Sequence, residues 1–390
     1  MCGGTVKLSL KKANITRIII IGFITLSLIL SFALAGCGKK VSATTESKID
    51  VGNQSTTAVS TESSGSAETT KKAISELQIA GNINLFSGLE ISDTVKNARP
   101  LAVMINNAPE ARPQSGLNKA DVVMEVVDEG GITRMIGIFS SNAVEIIGPV
   151  RSARQYYAEL ARMFDPIYVF WGTYPEGYKL IQNMDMDLLT PLGDTTGASS
   201  ITANISDGGK DAWRDNTRVA PHNAYSSTAK LYAAAENNGY SLEGGQSPLN
   251  FKLDASDDKK GTTADIKIDF SVETFASDFK YDKGSNKYLK STGGSPTMDR
   301  ESSAQLSFNN VVGLVTDIAN SGDSAGHMVV RTTGTGKAFF FFDGNVIEGT
   351  WERMSVTEPM KFKDSEGNNV LFNRGSTYIG MVQGTDRIIY

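Results

Sequence analysis

Thiols and imidazoles are scarce: the 390 residues hold two cysteines and two histidines. That is too few for a disulfide framework, and it argues against a structural zinc site, whose ligands come mainly from those side chains. No Gly-x-x-x-x-Gly-Lys-Ser/Thr loop occurs either, so nothing is built to cradle a nucleotide phosphate in the P-loop manner. Positive charge is in deficit, 38 Lys and Arg against 43 Asp and Glu, for a formal net charge of −5. A mildly acidic chain is no general binder of nucleic acid or anionic lipid, and any basic site must be local. Asp254-Ala-Ser-Asp-Asp258 is acidic, but without EF-hand spacing or glycine it reads as a solvated loop. Neither a metal nor a cofactor is expected.

What is present begins with an address. Lys7, Lys11, Lys12 and Arg17 precede an apolar run from Ile18 to Leu34, and Leu34-Ala-Gly-Cys37 comes next. A basic segment, an apolar segment and small residues make a secretory signal, expected over 1–36. A cysteine at that point is where lipidation of Cys37 would occur, and two acyl chains suffice for stable anchoring. The expected location is the outer face of the cytoplasmic membrane. The alternative, an uncleaved membrane helix, sends the remainder to the same side by the positive-inside rule. With Cys2 removed and Cys37 lipidated, the mature chain has no free thiol. Its fold must rest on an apolar core, for which a 40% hydrophobic composition is adequate.

From Cys37 to about Lys72 the chain is rich in Ser and Thr and poor in large apolar residues, and a disordered tether is expected over 37–84. Its r.m.s. reach is roughly 35 Å. Beyond Arg99 the pattern changes. Leu101-Ala-Val-Met-Ile105, Val122-Val-Met-Glu-Val-Val127 and Ile167-Tyr-Val-Phe-Trp171 are continuous apolar runs of strand length, as expected for strands buried on both faces. Ala153 to Phe164 carries an apolar stripe of helical period, with Ser152 and Gln155 spaced as a capping box. With Val144–Ile147 ahead and Ile167 behind, this predicts a βαβ unit. A second helix is predicted from Thr228 to Asn238, stopped by Gly239. After Gly261 the texture is β-rich: Ile266–Phe270, Val311–Val315, Met328–Val330 and Phe339–Phe342 read as strands, with a turn at Asp343-Gly344. The fold class is therefore mixed α and β. An N-terminal α/β domain with buried strands and a βαβ unit, about 85–240, precedes a mainly β C-terminal domain, 241–390. No internal repeat is evident.

Four phrases stand in order: Arg112-Pro-Gln-Ser-Gly-Leu117 with Ala120-Asp121, Glu129-Gly-Gly-Ile-Thr-Arg134, Gly148-Pro-Val-Arg-Ser-Ala-Arg154, and Pro221-His-Asn223. Together they resemble the YerB-like bacterial lipoproteins, whose core is a domain of unknown function. Gly344-Asn-Val-Ile-Glu-Gly-Thr-Trp351 is similar to that family's second domain. The resemblance covers about 95–390 and implies a two-domain cell-envelope lipoprotein. It supplies no activity, cofactor or substrate.

The chemistry must come from the residues. Gly148–Ser152 lies between a predicted strand end and a predicted helix start, where ligands of α/β sheets bind and helix N-termini favour anions. Arg151 and Arg154 stand there, and Arg112, Arg134, Ser152, His222 and Asn223 are candidates for the same anion site. The bland reading is an internal salt-bridge network, with Glu125, Asp128 and Glu129 as partners. His222 can serve as acid, base or donor, or merely order its loop. The expected role is binding of an anionic wall polymer, peptidoglycan or a membrane-protein partner, without catalysis. The enzymatic alternative is a wall glycan or peptide hydrolase using Glu125, Glu129 and His222. Gly322-Asp-Ser-Ala-Gly326 mimics a nucleophile elbow but reads as a hairpin turn. Ser227-Thr-Ala-Lys230 mimics a penicillin-recognising motif but reads as a helix cap.

Overall fold

The computed structural model describes residues 82–91 and 98–390. The signal segment 1–36, the lipidation site Cys37 and all but the last residues of the expected tether lie outside the described residues.

Apolar runs become buried strands at the positions their composition predicts. The N-terminal half contains β1 (Leu101–Asn106), β2 (Val122–Val127), β3 (Thr133–Phe139), α1 (Gln155–Arg162), β4 (Ile167–Val169), α2 (Pro175–Gln182) and β5 (Leu188–Leu189). A short hairpin, β6 (Trp213–Arg214) and β7 (Ala224–Tyr225), then leads into α3 (Thr228–Asn237). The C-terminal half is almost all strand. It runs through β8 (Asn250–Lys252), β9 (Asp265–Ile268), β10 (Ser277–Asp282), β11 (Lys287–Thr292), β12 (Ser295–Pro296), β13 (Ser307–Phe308) and β14 (Asn310–Val315). It continues with β15 (Ile318–Asn320), β16 (Met328–Val330), β17 (Gly334–Phe342), β18 (Asn345–Arg353), β19 (Lys361–Asp364), β20 (Leu371–Asn373), β21 (Thr377–Val382) and β22 (Ile388–Ile389).

A mixed sheet of ten strands, in the order β19-β18-β17-β14-β21-β2-β3-β1-β4-β5, is the frame. Strands from both halves of the chain build it. They meet where β2 runs parallel to β21, with Val122 opposite Thr377. Because side chains alternate along a strand, each face of this sheet needs its own cover. Ala102, Met104, Met124 and Ile136 pack with Tyr157, Leu160 and Ala161 of α1 in one core cluster. Leu101, Val103, Val123 and Met135 belong to the other cluster, with Leu231 of α3 and with Ile266, Ile268 and Phe279 of a second sheet, β12-β11-β10-β9-β22.

Glu125 belongs by alternation to this second face, where it is 0% exposed. Oε1 accepts from Thr133 Oγ1 at 2.6 Å and Asn107 Nδ2 at 3.0 Å, and Oε2 accepts from Tyr378 OH at 2.6 Å and Ser277 Oγ at 3.1 Å. Lys290 Nζ, from β11, lies 3.6 Å away. Burial pushes the Lys290 ammonium down from its ordinary value, against the pull of Glu125. The interrupted apolar run thus marks a buried polar joint between the two sheets.

Three local expectations are corrected. The first helix is shorter than Ala153–Phe164, spanning Gln155–Arg162 with Arg154 at its N-cap. The Ser152/Gln155 capping box does not form: Ser152 Oγ donates to the Trp171 carbonyl at 3.0 Å, and Gln155 bonds Glu159 instead. Val144–Ile147 is no strand of the frame and makes one bridge, Ile147 to Ser226. β4 lies parallel to β1, from which the chain is separated by β2 and β3. The other helix does begin at its cap, Ser227 Oγ accepting from Lys230 N at 3.2 Å, which disposes of the Ser-x-x-Lys mimic. Gly322–Gly326 lies in the β15–β16 connection, as the hairpin reading requires.

Candidate functional site

β1 and β2 run in the same direction on either side of β3, and the segments beyond their carboxyl ends wall a cleft of about 1000 Å³. β1 contributes Asn106 and, beyond it, Ala108 and Glu110; Asp128 and Glu129 come directly after β2; β3 contributes Arg134. Strand carboxyl ends in open sheets are where ligands gather, because the backbone there stops pairing and loops diverge. The segment Gly148–Arg151 is laid against β1 by the bonds Asn106 N to Pro149 O, 2.9 Å, and Arg151 N to Met104 O, 2.9 Å. Gly148 must be glycine, since a Cβ there would stand 2.7 Å from the Ala224 carbonyl oxygen. This brings Arg151 to the cleft wall. The loop carrying Thr217, Arg218, Val219 and His222 closes another side, and Arg300 reaches in from the C-terminal half.

Most of the charge in this cleft is already spent. Asp128 receives Arg134 Nη2 at 2.6 Å and the Tyr156 hydroxyl at 2.9 Å. Glu129 receives Arg154 Nε at 2.5 Å and Nη2 at 2.8 Å, with Arg134 Nη2 at 3.5 Å. Arg134 also donates through Nη1 to the Ser152 carbonyl at 2.7 Å. Burial would raise the Glu129 carboxyl, but hydrogen bonds from Arg154 and Asp128 and the charges of Arg154 and Arg134 outweigh it and hold it down at about 2. Asp128 is pushed the other way, because burial dominates the two arginines. Arg300 is held by Asp215 at 2.5 Å, and Arg218 donates to the carbonyls of Glu110 and Pro113.

Arg151 is different. Its half-buried guanidinium makes no hydrogen bond or ion pair with any of the described residues, and it faces the cleft. Burial lowers its pKa, and the neighbouring charges of Arg134 and Arg154 lower it further, against the opposite pull of Asp128 and Glu129. An anion bound there would relieve both effects, since it replaces lost hydration and offsets crowded positive charge.

His222 stands beside it with a defined tautomer. Asn106 Oδ1 accepts from Ala108 N at 3.0 Å, so the amide Nδ2 must face His222 Nδ1, 2.8 Å away. Nδ1 is then the acceptor, and the proton sits on Nε2. Burial, then the Arg151 charge, lowers the imidazole pKa, so the ring is a neutral hydrogen-bond donor near pH 7.

Of the residues singled out from sequence, Asp128, Glu129, Arg134, Arg151 and His222 line this cleft. Arg154 stands behind Glu129 and opens on a separate pocket with Tyr174 and His327. The start of α1 therefore does not face the cleft through its N-cap side chain. Ser152 and Asn223 are structural: Asn223 accepts from Arg214 and donates to the Arg218 carbonyl, ordering the loop. Arg112 lies in another cleft of about 420 Å³, donating to Asn107 and Thr274 and stacked over Phe275 at 5.2 Å. Glu125 is fully buried between the two sheets, and Glu129 is paired with Arg154 and Arg134, which hold its carboxyl down at about 2. Glu110, Arg218 and Arg300 were not anticipated. Arg218, three residues before the Pro-His-Asn phrase, was the one within reach of sequence reasoning.

These features define a two-domain mixed α/β protein with a cleft at the strand ends of its main sheet. The chain belongs to the YerB-like lipoprotein family. Residues 86–241 match the N-terminal domain, and residues 266–379 the C-terminal domain, of a family described as "Protein of unknown function (DUF3048)". Among its relatives is "Putative lipoprotein YerB" of Bacillus subtilis (strain 168), 34% identical over 304 residues, which cover 77% of this chain and 86% of that protein. The crystal structure of the YerB protein from Bacillus subtilis superposes with a TM-score of 0.67 at 31% identity, covering 79% of this chain and 98% of that one.

Proposed function

We propose that this protein is a non-catalytic lipoprotein, anchored through Cys37 on the outer face of the cytoplasmic membrane, whose cleft binds an anionic group of a cell-envelope component. The observation that carries this reading is Arg151: a half-buried guanidinium on a cleft wall, with no partner among the described residues, beside two arginines that have theirs. Leaving a partly desolvated cation unpaired costs stability, and an incoming anion recovers it. The neutral His222 ring adds a directed N–H donor to the same space.

The test is co-sedimentation of the full chain in detergent micelles with purified sacculi, with and without their anionic polymer. The Arg151→Gln variant is run beside it. The expected result is saturable binding that the variant loses by at least about tenfold, as befits a charge-assisted contact. Undiminished binding by Arg151→Gln would rule out Arg151 as the anion's partner. Binding by neither protein would point to a membrane-protein partner instead.

A further inference from the structure

Among the described residues this cleft has one arginine with uncommitted donors, Arg151, and a second, Arg218, whose donors are spent on backbone carbonyls. It has an uncommitted carboxylate as well. Glu110 lies on the cleft wall, and its side chain makes no hydrogen bond or ion pair with any of the described residues. Its backbone is fixed, because Arg218 Nη1 donates to the Glu110 carbonyl at 3.0 Å. Arg151 and Glu110 line the cleft together with His222, and their charges act on its ring in opposite directions, Arg218 adding to the effect of Arg151. The remaining acids of the cleft, Asp128 and Glu129, are matched by Arg134 and Arg154. What is left over around the neutral imidazole is the uncommitted guanidinium of Arg151, the uncommitted carboxylate of Glu110, and the charge of Arg218, whose donors are spent on two backbone carbonyls.

Four apolar side chains share the lining with these polar groups. Ile132 is 36% exposed and Val219 81% exposed, and both line the cleft with Ala108 and Ala220. An 81% exposed valine gains from any apolar segment laid over it, at roughly 25 cal/mol per Å² removed from water. A polyanion would meet the Glu110 charge directly, which is unfavourable at short range.

Resting on the anion-binding proposal, we infer that the cleft takes a small zwitterion, a carboxylate against Arg151 and an ammonium against Glu110, joined by a short apolar span. Free amino acids and short peptides with free ends have this chemistry. In such a complex the His222 Nε2–H donates to the carboxylate or to a peptide carbonyl, and Val219 and Ile132 cover the side chains.

Isothermal titration of the full chain in detergent micelles tests this with four probes: alanyl-alanine, N-acetyl-alanyl-alanine, alanyl-alanine amide and glycerol 3-phosphate. The zwitterionic dipeptide should bind at least about tenfold tighter than any of the other three. Glu110→Gln, at an exposed position that leaves the fold intact, should reduce the dipeptide to the level of its N-acetyl form. It should leave the N-acetyl form within about twofold. Arg151→Gln should abolish both. If N-acetyl-alanyl-alanine or glycerol 3-phosphate binds as tightly as the dipeptide, through Arg151 and regardless of Glu110, the zwitterion is wrong and the anion reading stands. If none of the four binds, both fall.

Discussion

Arg151 and Arg154 are three residues apart, carry the same charge and do opposite jobs. Arg154 is chelated by Glu129, so its role is internal; Arg151 has nothing but solvent and the cleft before it among the described residues. Arg154→Gln should therefore lower stability by roughly 1.5–3 kcal/mol in urea unfolding, having stripped a half-buried carboxylate of its main donor. Arg151→Gln should leave stability unchanged or raise it by up to about 1 kcal/mol, since it removes an unpaired, half-buried charge, and should weaken binding. Glu129 adds a pH signature. Its pKa falls from an ordinary 4.5 to about 2 in the fold, so its contribution is present above 4.5 and is lost as pH falls towards 2. The stability gap between the wild type and Glu129→Gln should narrow across that window. A gap that is flat from pH 6 to pH 2 would mean Glu129 is not paired as described. The phrases around Arg134, Arg151 and His222 were legible in the sequence as site material. Their sorting into spent and unspent charge was not, because it depends on which of Asp128, Glu129 and Arg154 meet in space. Glu110 and Arg300 carry no local signal at all, being brought to the cleft from opposite halves of the chain.

At the scale of elements, continuous apolar runs were reliable and boundary chemistry was mixed. Strands β1, β2 and β14 arise from Leu101–Ile105, Val122–Val127 and Val311–Val315, since a strand buried on both faces has no polar side. Asp343-Gly344 turns β17 into β18 with both residues at positive φ, 54° and 65°, as a two-residue hairpin requires. Ser152 fitted a cap pattern equally well and was drawn instead to the Trp171 carbonyl, a long-range partner invisible in the local sequence. Ser227 had no such competitor. Its replacement by Ala should cost about 1 kcal/mol in thermal or urea unfolding through the start of α3. Ser152→Ala should leave the helix content of α1 unchanged by circular dichroism.

For the molecule as a whole, the division into an α/β first half and a β-rich second half describes the order of the chain better than its packing. The ten-stranded sheet takes strands from both, and Glu125 on β2 is bonded by Ser277 and Tyr378 and faced by Lys290, all from the second half. Glu125→Ala would leave that ammonium buried without a counter-charge and should cost about 3–5 kcal/mol, read as a shift of the whole unfolding transition. A loss below about 1 kcal/mol would show that the joint is not closed in solution. That shared frame also lets Arg300, from the second half, line a cleft built mainly by the first. If this cleft is a ligand site organised by Arg151, equilibrium binding of the full chain to purified sacculi, wild type against Arg151→Gln, shows it most directly. Saturable binding, weakened at least about tenfold in the variant, is the predicted result. Equal binding by the two proteins would contradict it.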